Sequence, residues 1–342
     1  MKEFEITPNE AGQRFDKYLG KLLSGSSMGF IYKMLRKKNF TLNGKKAAGN
    51  EILTVGDHVK LFLSDETFEK FSVPETGTTD SRIALYSKAD LAALHLEIVY
   101  EDAHILVWNK PAGMLSQKSV EADHSVNEYL IGYLLYQQEL TPADLKTFRP
   151  SIANRLDRNT SGLILCGKSL AGLQYLSKII KDRTLEKYYR CIVSGRLRGQ
   201  QWIEGYLTKD ASKNKVQILS EPSPDTEASY IKTGLCPIAA YQWRQAYYTE
   251  LSVHLITGKP HQIRAHLSDI GHPIAGDYKY GWDKKNVLTQ KYHVKSQLLH
   301  ASRMVFPETE GTFAYLSGKE LIAKVPPIYE KVLKELQNGN ME

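Results

Sequence analysis

Asp157 lies in the run Asn154-Arg155-Leu156-Asp157-Arg158-Asn159-Thr160-Ser161-Gly162-Leu163, between two arginines in a polar turn that leads into an apolar strand. Neighbouring positive charge favours the ionised form of a carboxylate. An ionised carboxylate at a rigid strand edge suits attack on, or stabilisation of, a sugar carbon that turns cationic as its glycosidic bond breaks. The same spacing also describes a solvated turn with an ordinary ion pair. Further on, Lys187, Tyr189, Cys191 and Val193 fall on one face of a predicted strand, so the Tyr189 ring is either a dry platform for a flat ligand or a core residue. Arg264 lies beside the apolar stripe Ile263, Leu267 and Ile270 of a helix predicted to open at Pro260 and close at Gly271. From the margin of a core it can hold a carboxylate with two parallel hydrogen bonds, or snorkel to solvent. His261 and His266 are five apart with no Glu after His261, so the zinc-protease spacing is absent and no metal is expected.

The elements that must position these groups divide into two parts. In MGFIYKMLRKK, Ile31, Met34 and Leu35 recur at helical spacing while Lys33, Arg36 and Lys37 occupy another face. Phe40, Thr41 and Leu42 then run into Asn43-Gly44, a hairpin signal, and Val59, Leu61 and Leu63 alternate as a strand does. These features predict a small α+β module over residues 1–64. Residues 65–95, acidic and rich in Thr, Ser, Pro and Gly at first, read as a linker with one short helix. A larger domain is predicted over 96–330, followed by a tail at 331–342. Its strands (LEIVYE, ILVWNK, SGLILCG, KYYRCIVSG, KVQIL, YYTELSVHLI) outnumber its helices (LAGLQYLSKII, HQIRAHLSDI) without regular βαβ alternation. An α+β fold around a mostly antiparallel or mixed sheet is therefore expected.

Composition narrows the function classes. The chain has 342 residues, 45 Lys+Arg against 38 Asp+Glu, and a net charge of +7. Eleven basic and six acidic residues fall within 1–63, so positive charge is densest there and a polyanionic partner is expected. The three cysteines, Cys166, Cys191 and Cys236, sit in apolar segments, which argues against a disulfide framework or a zinc knuckle and for a reducing cytoplasm. No segment reads as a signal peptide or a bilayer span, so a soluble, cytoplasmic protein with no membrane partner is expected.

Four ordered motifs carry a resemblance. The Asp157 segment resembles the H-R-L-D-x-x-T-S-G-L signature of bacterial pseudouridine synthases of the ribosomal large-subunit and related tRNA type. YEDAHILVWNKPAGM, KYYRCIV and TGKPHQIRAHLSDIGHPIAGDYKYG resemble that family's further motifs in the same order. Asn154 stands where the family usually has His, Cys191 where it has Ala, Lys259-Pro260 where it has Arg-Thr, and Ser116-Gln117 where many members have Val-His. The resemblance implies a monomeric, cofactor-free enzyme that isomerises uridines of RNA, ribosomal by preference and tRNA as the alternative. It makes Asp157 the nucleophile, Tyr189 the ring that stacks on the target base, Arg264 the partner of Asp157, and Arg155 the side chain that enters the RNA stack once the uridine leaves it. RFDKYLGKLL, MGFIYKMLRKKNFTLNGKK and VGDHVKL resemble the S-four-type RNA-binding domain, which implies that Lys33, Arg36, Lys37 and Lys38 on its second helix, with Lys45 and Lys46 on its hairpin, bind RNA.

Overall fold

The computed structural model describes residues 1–72, 96–120, 123–142, 144–210, 215–222 and 227–339. The N-terminal part comprises β1 (Lys2–Glu5), α1 (Phe15–Leu22), α2 (Met28–Arg36), β2 (Phe40–Leu42), β3 (Lys45–Lys46), β4 (His58–Leu61) and α3 (Asp65–Ser72). Its four strands pair antiparallel in the order β1-β4-β2-β3. Asn43 and Gly44 close the β2–β3 hairpin with φ of 52° and 72°, the paired left-handed geometry that only a few residue types tolerate. Ile31, Met34 and Leu35 bury one side of α2 against Phe15, Leu19 and Phe40. Lys33 and Arg36 are exposed on α2, but Lys37 and Lys38 lie beyond its last residue, Lys38 in a left-handed turn with φ of 62°. Phe68 and Phe71 of α3 pack on the same core, so the expected linker does not begin at residue 65. The rest of that segment, 73–95, lies outside the described residues.

The larger part contains β5 (Glu97–Glu101), β6 (Ile105–Lys110), α4 (Val126–Tyr136), β7 (Ser151–Ile152), β8 (Ser161–Gly167), α5 (Leu170–Lys181), β9 (Glu186–Ser194), β10 (Gln201–Asp210), β11 (Lys215–Leu219), β12 (Ser229–Trp243), β13 (Ala246–Leu255), α6 (Gln262–Asp269), α7 (Val287–Lys291), β14 (Leu299–Val305), β15 (Glu320–Ile322) and α8 (Pro327–Gly339). Its sheet runs β11-β10-β12-β13-β9-β14-β8-β6-β5, with β15 joined to β14 and β7 to β8. All pairs are antiparallel except β14–β8, so the α+β class with a mostly antiparallel, mixed sheet holds.

Both faces of β8 are buried, because α5 covers Leu163 and Leu165 while α4 covers Ile164 and Cys166. The helix α4 is apolar around much of its circumference and therefore lacks the one-sided stripe that marks a surface helix. On the other half of the sheet, α6 seals one face over Tyr189, Cys191, Val193, Leu251 and Val253, and α8 packs on Ile192, Tyr241 and Trp243. Residues 331–339 are thus no tail: Val332 and Leu336 of α8 are fully buried. Cys236 is exposed rather than in the core, since its strand position faces away from the sheet side that α6 covers.

Candidate active site

The loop between β7 and β8 carries Asp157, and three polar side chains hold that loop in place. The Ser116 hydroxyl accepts from the Leu156 amide at 3.0 Å and donates to its carbonyl at 2.7 Å. Asn154 accepts from the Leu165 amide at 2.7 Å and donates to the Leu163 carbonyl at 3.3 Å, so it clamps the loop onto β8. Lys110, with no exposed surface, donates to the carbonyls of Pro111 (3.0 Å), Met114 (2.9 Å) and Arg158 (3.1 Å), stitching the Pro111–Met114 turn to the loop. Burial pushes the Lys110 ammonium down to about 7 against the opposing pull of the Asp157 charge. Gly162 enters β8 with φ of 113°, and a Cβ there would stand 2.2 Å from the Ala301 carbonyl oxygen. Only glycine fits where the loop joins β14.

Arg155 and Arg158, the sequence neighbours of Asp157, are not its partners. Arg155 is exposed and Arg158 donates to the Gly113 carbonyl at 3.2 Å. The partners come from α6 and from the residue that caps it. Arg264 Nη1 donates to Asp157 Oδ2 at 2.9 Å, and His261 Nε2 lies 3.8 Å from the same oxygen. Asp157 Oδ1 takes no hydrogen bond among the described residues.

The two-pronged grip expected of Arg264 goes elsewhere. Its Nε and Nη2 fork onto Asp277, at 2.6 Å to Oδ2 and 2.9 Å to Oδ1, and its guanidinium stacks over the Tyr280 ring at 4.9 Å. Asp277 is 1 % exposed, so a buried carboxylate fixes the guanidinium plane and leaves Nη1 for Asp157. Burial alone would lower the Arg264 pKa, but the hydrogen bonds and charge of Asp277, with Asp157 adding less, raise it above its ordinary value.

The helix carrying these groups starts later than expected. His261 is its cap, in a left-handed conformation with φ of 56°, and α6 begins at Gln262. Gln262 is buried and fully bonded: Thr257 and the Lys259 amide donate to its carbonyl, and its amide donates to Lys232 and Thr233. That clamp ties the start of α6 to β12 and sets the direction of Arg264. Ile270 is only half-buried, whereas Arg264, Ala265 and His266 are buried, so α6 is enclosed on nearly all sides.

Tyr189 on β9 is buried among Leu156, Leu255 and Ile263, and its hydroxyl is pushed up by burial and by the nearby Asp157 charge. Asp157, Tyr189, Lys187, Gln117, Arg155 and His261 line one cleft of about 690 Å³, within the ~300–1,000 Å³ of small-molecule sites. The structure thus brings Asp157, Tyr189 and Arg264 together, with Arg155 at the cleft. Lys33, Arg36, Lys37, Lys38, Lys45 and Lys46 are exposed on the N-terminal part and do not line it. Asp277, Ser116 and the bracing role of Lys110 were missed from sequence. Their motif positions were visible, yet nothing in their spacing says which side chains meet.

The sequence pattern of the RNA pseudouridylate synthase family matches residues 104–269, which hold Asp157, Tyr189, His261 and Arg264. Ribosomal large subunit pseudouridine synthase C of Vibrio vulnificus (strain CMCP6) is 30% identical over 339 residues, 98% of this chain and 96% of that protein. The chain belongs to the RNA pseudouridylate synthase family. Other members are similar over comparable lengths. The synthase C of Rickettsia bellii (strain RML369-C) is 31% identical over 96% of this chain and 99% of its own. That of Escherichia coli (strain K12) is 29% identical over 82% and 80%. Human RNA pseudouridylate synthase domain containing 4 shares the fold, with a TM-score of 0.57 at 19% identity over 75% of this chain and 97% of that one. The protein is accordingly an RNA pseudouridine synthase, an isomerase.

Proposed function

We propose that this synthase isomerises uridines of large-subunit ribosomal RNA and that Asp157 is the acting carboxylate. The observation that carries the second part is the asymmetry of Asp157: Arg264 holds Oδ2, while Oδ1 is without a partner among the described residues, in a cleft that also contains Tyr189. The substrate class is supported by the names of the relatives, which are synthases of the ribosomal large subunit.

A uridine stacked in RNA cannot bring its sugar to a recessed carboxylate, so it is flipped into the cleft and Arg155 occupies the vacancy. Tyr189 stacks on the uracil. Asp157 then acts at the ribose, by attack on C1′ or by taking the C2′ proton, and the C1′–N1 bond breaks. The freed uracil turns, C5 bonds to C1′, the C5 proton leaves and N1 ends protonated. Substrate and product are isomers, so no oxidant, reductant or donated group enters. Exposed Lys33, Arg36, Lys37, Lys38, Lys45 and Lys46 give the N-terminal part, as an RNA-binding module, contacts to phosphates. Three unpaired cysteines fit a reducing cytoplasm, and no described helix is long and apolar enough to cross a membrane.

Asp157→Asn keeps the side-chain shape and removes the charge. It is expected to abolish tritium release from 5-tritiated uridine in ribosomal RNA while RNA affinity persists. Turnover by this variant at the wild-type rate would refute the role of Asp157.

A further inference from the structure

We propose that His261 is a second positioning residue for Asp157, acting as a neutral imidazole whose Nε2–H is aimed at Asp157 Oδ2 and whose tautomer is set by Tyr280. The inference rests on the reading of Asp157 given above. It begins from backbone strain. His261 has φ of 56° and ψ of 13°, a conformation few non-glycine residues adopt, and it does so at the wall of the cleft. That turn swings the ring towards Asp157, with Nε2 3.8 Å from Oδ2.

Hydrogen bonding decides where the imidazole proton sits. Tyr280 Oη accepts from the Val216 amide at 3.0 Å, and a backbone amide can only donate. Among the described residues the phenol proton is then left for His261 Nδ1 at 2.9 Å. Nδ1 therefore accepts, and the ring proton lies on Nε2, the nitrogen facing Asp157. A buried phenol thus converts an ambiguous imidazole into a donor of fixed direction.

The neutral form suits the chemistry. An imidazolium would make a second ion pair with a carboxylate that Arg264 already holds, and would weaken it as a nucleophile or base. A neutral donor orients Oδ2 at smaller cost to the reactivity of Oδ1. The groups around the ring act in both directions: burial, Arg264 and Lys279 disfavour its protonation, while Asp157 and Asp277 favour it. The net direction is downward from the ordinary histidine value. At 3.8 Å the contact is open, and closing it by a small movement of Asp157 would accompany substrate entry.

Two substitutions isolate the Nε2–H. Asn tolerates the left-handed backbone but is too short to reach Asp157, so His261→Asn keeps the turn and removes the donor. His261→Gln places an amide N–H near the position of Nε2. For the full-length chain, the expected result is a fall of ~10-fold or more in the single-turnover rate of His261→Asn at saturating RNA. RNA affinity should be unchanged, and His261→Gln should recover part of the rate. Nitrogen-15 spectra of histidine-labelled protein near neutral pH, with the His261 signals identified by their disappearance in His261→Asn, should show a protonated Nε2 and an unprotonated Nδ1. A wild-type saturated rate for His261→Asn, a deficit confined to RNA affinity, or a ring protonated on Nδ1 would each overturn the proposal. Asp157→Asn separates the two readings: if it is inactive while His261→Asn is fully active, only the role of His261 fails, whereas an active Asp157→Asn removes the premise of both.

Discussion

At the scale of residues, the site works by an ordered set of grips on one carboxylate. Asp277 engages two of the three Arg264 nitrogens, Nε and Nη2, and leaves Nη1 for Asp157, so the direction of the catalytic candidate depends on a residue that does not itself touch it. Arg264→Lys keeps a charge but has no second and third prong, and a saturated rate lower by about 10-fold or more is expected. Asp277→Ala goes further, because it leaves a buried guanidinium with one partner, and a stability loss of about 3–5 kcal/mol is expected besides. Single-turnover rates and urea unfolding of both variants test the arrangement, and an unchanged rate in both would show Asp277 and Arg264 to be bystanders. The clamps on the loop follow the same logic, with Asn154 and Ser116 bonding to backbone rather than to Asp157.

At the scale of elements, the position of Asp157 is set by how β8 enters the sheet. Gly162 pairs with Ala301 in the one parallel junction of the described sheet, so close that a methyl group would have to displace backbone. Gly162→Ala is expected to part β8 from β14, shift the loop that precedes it, and lower both the melting temperature and the activity. An active variant with a native melting temperature would mean the junction yields without cost. The helix α6 is the second fixed element, and Gln262 anchors it through four hydrogen bonds to Thr257, Lys259, Lys232 and Thr233. Loop and helix meet over β9, where Leu156 and Ile263 share one core with Tyr189, and the Asp157–Arg264 contact so formed spans 107 residues of sequence.

At the scale of the whole molecule, the N-terminal part has its own sheet and core but also touches the larger part. Thr147 donates to Glu10 at 2.6 Å, and both side chains are buried. Removal of residues 1–72, a boundary that keeps α3 with its core, is expected to weaken binding to structured RNA. The slope of log affinity against log salt should fall by ~0.7 to 0.9 for each phosphate that the module no longer neutralises. The saturated rate is expected to persist. An unchanged salt slope would mean that the basic helix is merely a solvated face. Acid is the second global test. His266 and His300 are buried and held neutral, both pushed from 6.5 down to about 4 by burial. Between those values the unfolded chain takes up protons that the folded chain refuses, so stability falls as pH drops through that window. Urea midpoints measured from neutral pH down through that window should show this, with a shallower fall in the His266→Gln, His300→Gln double variant.

The sequence by itself determined the class of fold, the order of the motifs and the residues that meet in the cleft, because alternating strands, the Asn43-Gly44 turn and the Asp157, Tyr189 and Arg264 motifs are local patterns. It also placed α5 and α6, whose apolar stripes are periodic. It did not reveal α4, which is apolar on several sides, whereas Tyr329, Val332 and Leu336 of α8 recur at helical spacing and only their place against Trp243 and Tyr241 came with the fold. The family resemblance named Arg264 as the partner of Asp157, but residue spacing alone did not, and the fork onto Asp277 lay beyond both. Local charge pairs Asp157 with Arg155 and Arg158, yet the folded chain pairs it with Arg264 and gives the Arg264 fork to Asp277. The physical reason is that a side chain's partner is fixed by direction and burial, which arise when distant strands and helices are packed together, whereas sequence spacing records only what is near along the chain.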